Sequence, residues 1–248
     1  MIQALLLSKL IRPQGRSLWI RLVCEMSSLI ITIDGPAASG KSTVARLLAE
    51  RLGISFLDTG AMYRAVTLAA IEAGVDMSDE EKLLDVLDSR KFQFAVREGR
   101  MEVCIDGVDV TEQIRLPEVT ANARYIASKV KLREKLVEMQ RQFALKEGKI
   151  VTEGRDQGTV AFPDADVKFY LTANTAERAR RRQADLQAAA CKENLEQVQR
   201  AIIERDKSDE ERTIGPLKPA EDAIVVDTSD LSIEEVVDQL LSFVEDNA

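Results

Sequence analysis

The chain has 248 residues, 45% of them hydrophobic and 31% charged, with a net charge of −8 and no histidine. That length and composition suit one large α/β domain, alone or with insertions, able to bury a full core. The acidic balance argues against a nucleic-acid polymer as the main ligand, and the lack of histidine excludes a Ser-His-Asp triad, histidine metal ligands and histidine acid–base work.

Residues 1–28 differ from the rest. Up to residue 25, Lys9, Arg12, Arg16 and Arg21 stand against Glu25 alone, a net of +3 that leaves −11 for the remainder. Apolar stretches at Ala4 to Leu7 and Leu18 to Ile20 are broken by Pro13 and Gly15. A basic, acid-poor leader can be a targeting peptide, but its apolar core is short and it has no clear small-residue cleavage site. The reading favours a poorly ordered extension or a mis-called start, with Met26 just ahead of the first strand. No run is long enough for a membrane span. Cys24, Cys104 and Cys191 form no CxxC and read as reduced thiols of a cytoplasmic protein.

Leu29 to Ile33 is a short β-branched apolar run, expected to be a buried strand. Gly35-x-x-x-x-Gly40-Lys41-Ser42 follows, and Thr43 to Leu52 has helical spacing, so a full phosphate-binding loop lies between strand and helix. Backbone N–H groups must approach a polyphosphate closely there. Glycine permits the approach, and the helix N-terminus favours the anion. Gly35, Pro36, Ala37, Ala38, Ser39, Gly40, Lys41, Ser42 and Thr43 are therefore the expected ATP site. Lys41 would reach the β- and γ-phosphates, pointing into a solvent-filled site when empty, and the Ser42 hydroxyl would face Mg²⁺.

Ile54 to Leu57 reads as a second strand and Ala61 to Ala73 as a helix. Ser78-x-x-Glu81 has the form of a capping box opening a helix to about Leu87. Lys91 to Val96, Met101 to Ile105 and Val108 to Val110 alternate like small antiparallel strands, with turns at Glu98-Gly99 and Asp106-Gly107. Pro117 starts a helix to about Ser128, and another runs from about Lys131 to Glu147 with Gly148 as its stop. Further strands are expected at Ile150 to Thr152, Val167 to Leu171 and Ala223 to Val226. Helices are expected after Asn174, over Leu195 to Asp209, and after the Ser232-x-x-Glu235 box, with a weak break at 188–193. The alternation predicts about five parallel strands covered by helices on both faces, with ligands at the strand carboxyl ends and an antiparallel patch as an inserted subdomain.

Those ends carry charge. Strand two leads into Asp58, Thr59, Tyr63 and Arg64, and the strand at 150 leads into Arg155 and Asp156. Arg64 and Arg155 could be surface ion pairs. Their shared placement in a phosphate-binding fold instead suggests a second anion, since an arginine fork donates two hydrogen bonds to a phosphate. Arg178, Arg180, Arg181 and Arg182 alone suggest only a solvated helix face. With Arg205, Asp209 and Arg212 they could form a closing lid.

Four stretches together resemble the bacterial cytidylate kinase family, nucleoside monophosphate kinases with a phosphate loop. They are Ile33 to Thr43, Leu57-Asp-Thr-Gly-Ala-Met-Tyr-Arg64, Gly154-Arg-Asp-Gln-Gly-Thr-Val-Ala-Phe-Pro-Asp-Ala165, and Glu204 through Asp209 to Arg212. The resemblance runs from about Leu29 to the C-terminus. It implies a kinase domain over 29–248, a monophosphate-binding insertion over about 64–148 and a lid over about 178–212. It implies transfer of the ATP γ-phosphoryl group to CMP or dCMP, with Mg²⁺ near Ser42, in a cytoplasmic monomer that uses no membrane. By the same resemblance, Arg64, Arg155 and Arg212 would hold the acceptor phosphate. Arg205 and Asp209 would lie at ribose and phosphates, Arg133 and Asp156 would read the cytosine, and Arg181 and Arg182 would be lid arginines acting with Lys41. Thr59 and Tyr63 would complete the CMP site. Arg124 stands where the family usually has a base-contacting serine, and Val130 where it has a proline.

Two other readings use a phosphate loop as well. A nucleotide-dependent switch would need no second arginine-lined anion pocket, and a kinase for another small acceptor would differ only in that pocket.

Overall fold

The computed structural model describes residues 28–97, 99–188 and 194–247. The leader, Cys24, Cys191, Glu98 and the break at 189–193 lie outside the described residues. Five strands, β1 (Leu29–Asp34), β2 (Ser55–Asp58), β6 (Lys149–Gly154), β7 (Val167–Thr172) and β8 (Ile224–Asp227), form one parallel sheet in the order β2-β6-β1-β7-β8. β1, β6 and β7 are buried nearly throughout and read as apolar runs, while the edge strand β8 leaves Val225 exposed.

Each sheet face has its own core. On one face Leu29, Ile31, Ile33, Val151 and Phe169 pack against α1 (Lys41–Leu52) and α8 (Ile233–Asn247). On the other, Leu57 and Ile150 join α2 (Thr59–Glu72), α3 (Glu80–Ser89), α4 (Pro117–Ser128) and α5 (Val130–Glu147). A three-stranded antiparallel sheet, β3 (Phe92–Arg97), β4 (Arg100–Ile105) and β5 (Val108–Asp109), adds Met101, Val103 and Ile105 to that second core. Asp106 and Gly107 take φ of 52° and 82° in the two-residue turn between β4 and β5.

Two local details differ from the sequence reading. Ser78 does not open α3: the Asp79 side chain caps it, accepting from the Lys82 N–H, while the Ser78 N–H is held by Asp76. An aspartate one residue closer to the first turn displaced the serine. After β6, residues Gln157–Ala161 form a π-helical turn with no periodic signature. The box at Ser232 and Glu235 does form, with the hydrogen bonds in both directions.

Past the sheet, α6 (Thr175–Ala188) and α7 (Leu195–Glu210) pack together through Ala179, Val198 and Ile202. Among the described residues, no helix is long and apolar enough to cross a membrane.

Candidate active site

The register sets Asp34 of β1 level with Gly154 of β6, and Asp58 of β2 level with Glu153. The carboxyl edge of the sheet is therefore a polar shelf between the phosphate loop on one side and the start of α2 on the other. Gly35 passes so close under β7 that a Cβ there would lie 2.0 Å from the Leu171 carbonyl oxygen. Ala38 and Gly40 have φ of 60° and 90°. For Ala38 that conformation costs about 1–2 kcal/mol, which the surroundings must hold in place. The first turn of α1 carries no acidic side chain, so its positive end stays free for an anion.

Lys41 does not point into open solvent. It is buried, and its ammonium donates to the Pro36 carbonyl at 2.8 Å. Burial first, and then Arg155 and Arg205 against the opposing Glu153 and Asp34, lower it to about 7. Ser42 is exposed at the helix start and donates to Glu153 Oε1 at 3.0 Å. Glu153 is buried beneath it. These two oxygen donors fit a hard cation that keeps waters and phosphate oxygens as its other ligands.

Across the shelf lies the acceptor side. Arg155 donates to Asp209 Oδ2 at 2.8 Å, and Arg212 pairs with Asp209 Oδ1. Burial opposes the Asp209 charge, but Arg155, Arg212 and Arg205 outweigh it and hold the carboxyl below its ordinary value. Arg205 is lowered to about 10 by burial and by Arg155, with Arg182 and Arg212 adding to the effect. Arg205 is open to water, so solvent weakens both the burial and the repulsion from its neighbours. Arg64 pairs with Asp58 at 3.0 Å, and its buried Nε has no partner. An acidic protein has thus gathered cations at one edge of its sheet.

Deeper in, Arg133 and Asp156 form a buried ion pair, and the Arg133 guanidinium lies 5.7 Å from the Tyr63 ring centre. Burial pushes Tyr63 to about 12. Gly215 closes over this pair: a Cβ there would fall 2.1 Å from Asp156 Oδ2. Two more groups line the shelf without an expectation attached. Asp34 accepts the Gln157 and Gly158 N–H groups, each at 2.8 Å, so the end of β1 pins the loop that carries Arg155 and Asp156. Burial raises Asp34 to about 7. Both Asp34 and Glu153 stand at strand carboxyl ends, and applying the strand-end rule to them would have found them.

The expected residues therefore divide. Ser42 meets Glu153, Lys41 lies among Glu153, Arg155 and Arg205, and Arg155 and Arg212 share Asp209. Arg182 lies near enough to Arg205 to act on its charge, and Arg64 pairs with Asp58, level with Glu153. Thr59 gives its hydroxyl to the Glu153 carbonyl at 2.7 Å. Arg181 lies on the phosphate-loop side, beside Gly40, where it donates to Thr228 Oγ1 at 3.0 Å and Thr228 O at 2.6 Å. Arg124 lies exposed over Tyr125, 4.9 Å from the ring centre.

A phosphate loop facing an arginine-lined pocket across the carboxyl ends of a parallel sheet defines a phosphate-loop kinase for a small acceptor. The pattern of the cytidylate kinase family matches residues 31–246, and the chain belongs to that family. It is 46% identical over 214 residues to the cytidylate kinase of Bacillus cereus, covering 86% of this chain and 95% of that one. The Bacillus cytotoxicus cytidylate kinase is 45% identical over the same shares. Among solved structures, a shikimate kinase from Bacteroides thetaiotaomicron superposes with a TM-score of 0.46 at 14% identity, over 88% of this chain and 98% of that one.

Proposed function

We infer that this chain transfers the γ-phosphoryl group of ATP to CMP or dCMP, giving ADP and the diphosphate. The observation that carries the reading is the buried Arg133–Asp156 pair beside the Arg155–Asp209–Arg212 cluster, facing the phosphate loop. A nucleotide switch has no use for that second pocket. Family membership supports cytosine as the base.

In this reading Gly35 to Thr43 bind the ATP phosphates, and Lys41 turns from the Pro36 carbonyl toward them. Arg64, Arg155 and Arg212 hold the acceptor phosphate, and Arg205 and Asp209 hold ribose and phosphate. Asp156 accepts from the cytosine amine, Arg133 donates to N3 or O2, and Tyr63 and Thr59 shape the pocket. Mg²⁺, when bound with ATP near Ser42 and Glu153, neutralises charge on the phosphate oxygens. Phosphoryl transfer asks for in-line positioning, exclusion of water and charge stabilisation, so the absence of histidine is no obstacle. Residues 178–212 act as a lid that brings Arg182 over the transferring group. Arg181 would serve there only by releasing Thr228. We place the reaction in the cytoplasm, on soluble nucleotides.

Coupled ADP release with CMP, dCMP, UMP, AMP and a panel of non-nucleotide acceptors tests the assignment. CMP and dCMP should lead. Turnover led by a non-nucleotide would replace it with another small-molecule kinase.

A further inference from the structure

One buried ion pair at the base of the lid region is assigned no contact with donor or acceptor in the proposed site. Arg178, on the first turns of α6, and Asp206, in the last turns of α7, are both buried and directly paired. Both also grip the backbone of one phosphate-loop residue. Asp206 Oδ1 accepts the Ala37 N–H at 3.1 Å, and Arg178 Nη1 donates to the Ala37 carbonyl at 3.1 Å. The rest of the guanidinium is committed too, Nε to the Ala173 carbonyl at 3.0 Å and Nη2 to Thr175 Oγ1 at 3.3 Å. Arg178 thus joins the end of β7, both lid-region helices and the phosphate loop. The next loop residue, Ala38, holds its positive φ while packed against the Ala179–Val198–Ile202 cluster.

We propose that Arg178 and Asp206 are positioning residues for the phosphate donor. Through Ala37 they hold the phosphate loop in its ATP-receiving shape, and they tie that shape to the docking of α6 and α7. A pair that served only to fasten two helices would not need both backbone polar groups of one loop residue. A backbone held at N–H and carbonyl together cannot rotate, so the strained neighbour at Ala38 cannot relax while the pair is intact. Neither residue touches substrate in this arrangement. Their effect runs through the loop.

The proposal rests on the kinase reading for the donor, and its main readout, ATP binding, needs no acceptor. Binding of Mg-ATP is measured calorimetrically for the wild type, Asp206→Asn and Arg178→Lys, beside melting temperature and the KM for each substrate. Asparagine cannot serve both Ala37 and the guanidinium, and lysine cannot reach four acceptors. Each variant should weaken ATP binding about tenfold or more, since hydrogen bonds to charged groups are the strong ones. The KM for CMP should stay within about twofold, separating this from general damage. Lowered melting temperature with unchanged ATP affinity would reduce the pair to a structural fastener and overturn the proposal. If neither variant folds, hydrogen exchange in the intact wild type decides: the Ala37 amide should be protected without nucleotide, and rapid exchange there would overturn it. A chain that binds ATP normally but rejects CMP would fail the functional reading and leave this one standing.

Discussion

The ammonium of Lys41 and the carboxyl of Asp34 are two groups whose charge burial disfavours. Lys41→Ala should therefore cut turnover by on the order of 10²-fold or more while leaving the melting temperature unchanged or raised, because it removes a buried cation held among arginines. A variant with near-normal turnover would remove Lys41 from the mechanism. The pH dependence follows from the same residue. Its value in the folded, nucleotide-free chain is about 7, against 10.5 for the free side chain. Between those values the unfolded chain binds more protons, so this group costs stability below pH 7, and the cost is relieved as pH rises from 7 toward 10.5. Polyphosphate restores the charge, so ATP binding near pH 8 should take up a proton. Calorimetry in buffers of different ionisation enthalpy reads that uptake, and a buffer-independent heat would contradict it. None of this was legible from the motif, which locates Lys41 but not the Pro36 carbonyl or the cations around it. Arg178 is the opposite case: on an Arg-rich helix it reads as solvated, and only the packing of α7 and the phosphate loop shows it buried.

Elements were far easier to read than side-chain partners. Strands β1, β6 and β7 follow from apolar, largely β-branched runs that end in a turn or a polar residue, because burial on both faces favours such side chains, and β2 follows from the short Phe56-Leu57 pair ahead of Asp58. The antiparallel hairpins follow from alternation and from Asp106-Gly107, whose positive φ values need those residue types. The π-turn at Gln157–Ala161 was not legible, because Asp34, more than a hundred positions earlier, anchors it by accepting two of its N–H groups. Helix α3 shows a finer limit. Ser78 and Asp79 are both good caps, and only the geometry chooses between them. Asp79→Ala should cost about 1 kcal/mol in urea denaturation, and Ser78→Ala only a few tenths. The reverse order would return the cap to Ser78.

At the scale of the molecule, both cores and the whole cleft are built from residues between Leu29 and Val244. A chain beginning at Met26 should therefore melt at the same temperature and phosphorylate CMP as well as the full chain does. A clear loss on truncation would show that the leader packs on the domain. In the proposed function, Asp156 opposite the phosphate loop reads the cytosine. That carboxylate can accept from the cytosine amine but opposes the uracil O4, a mismatch of roughly 1–3 kcal/mol. The most direct test is the ratio of kcat/KM for CMP over UMP, in the wild type and in Asp156→Asn. The ratio cancels any loss of folded enzyme caused by breaking the buried pair with Arg133. The wild type should favour CMP by at least about tenfold, and the variant should lose most of that preference. Equal use of CMP and UMP by the wild type, or an unchanged ratio in Asp156→Asn, would show that Asp156 does not read the base.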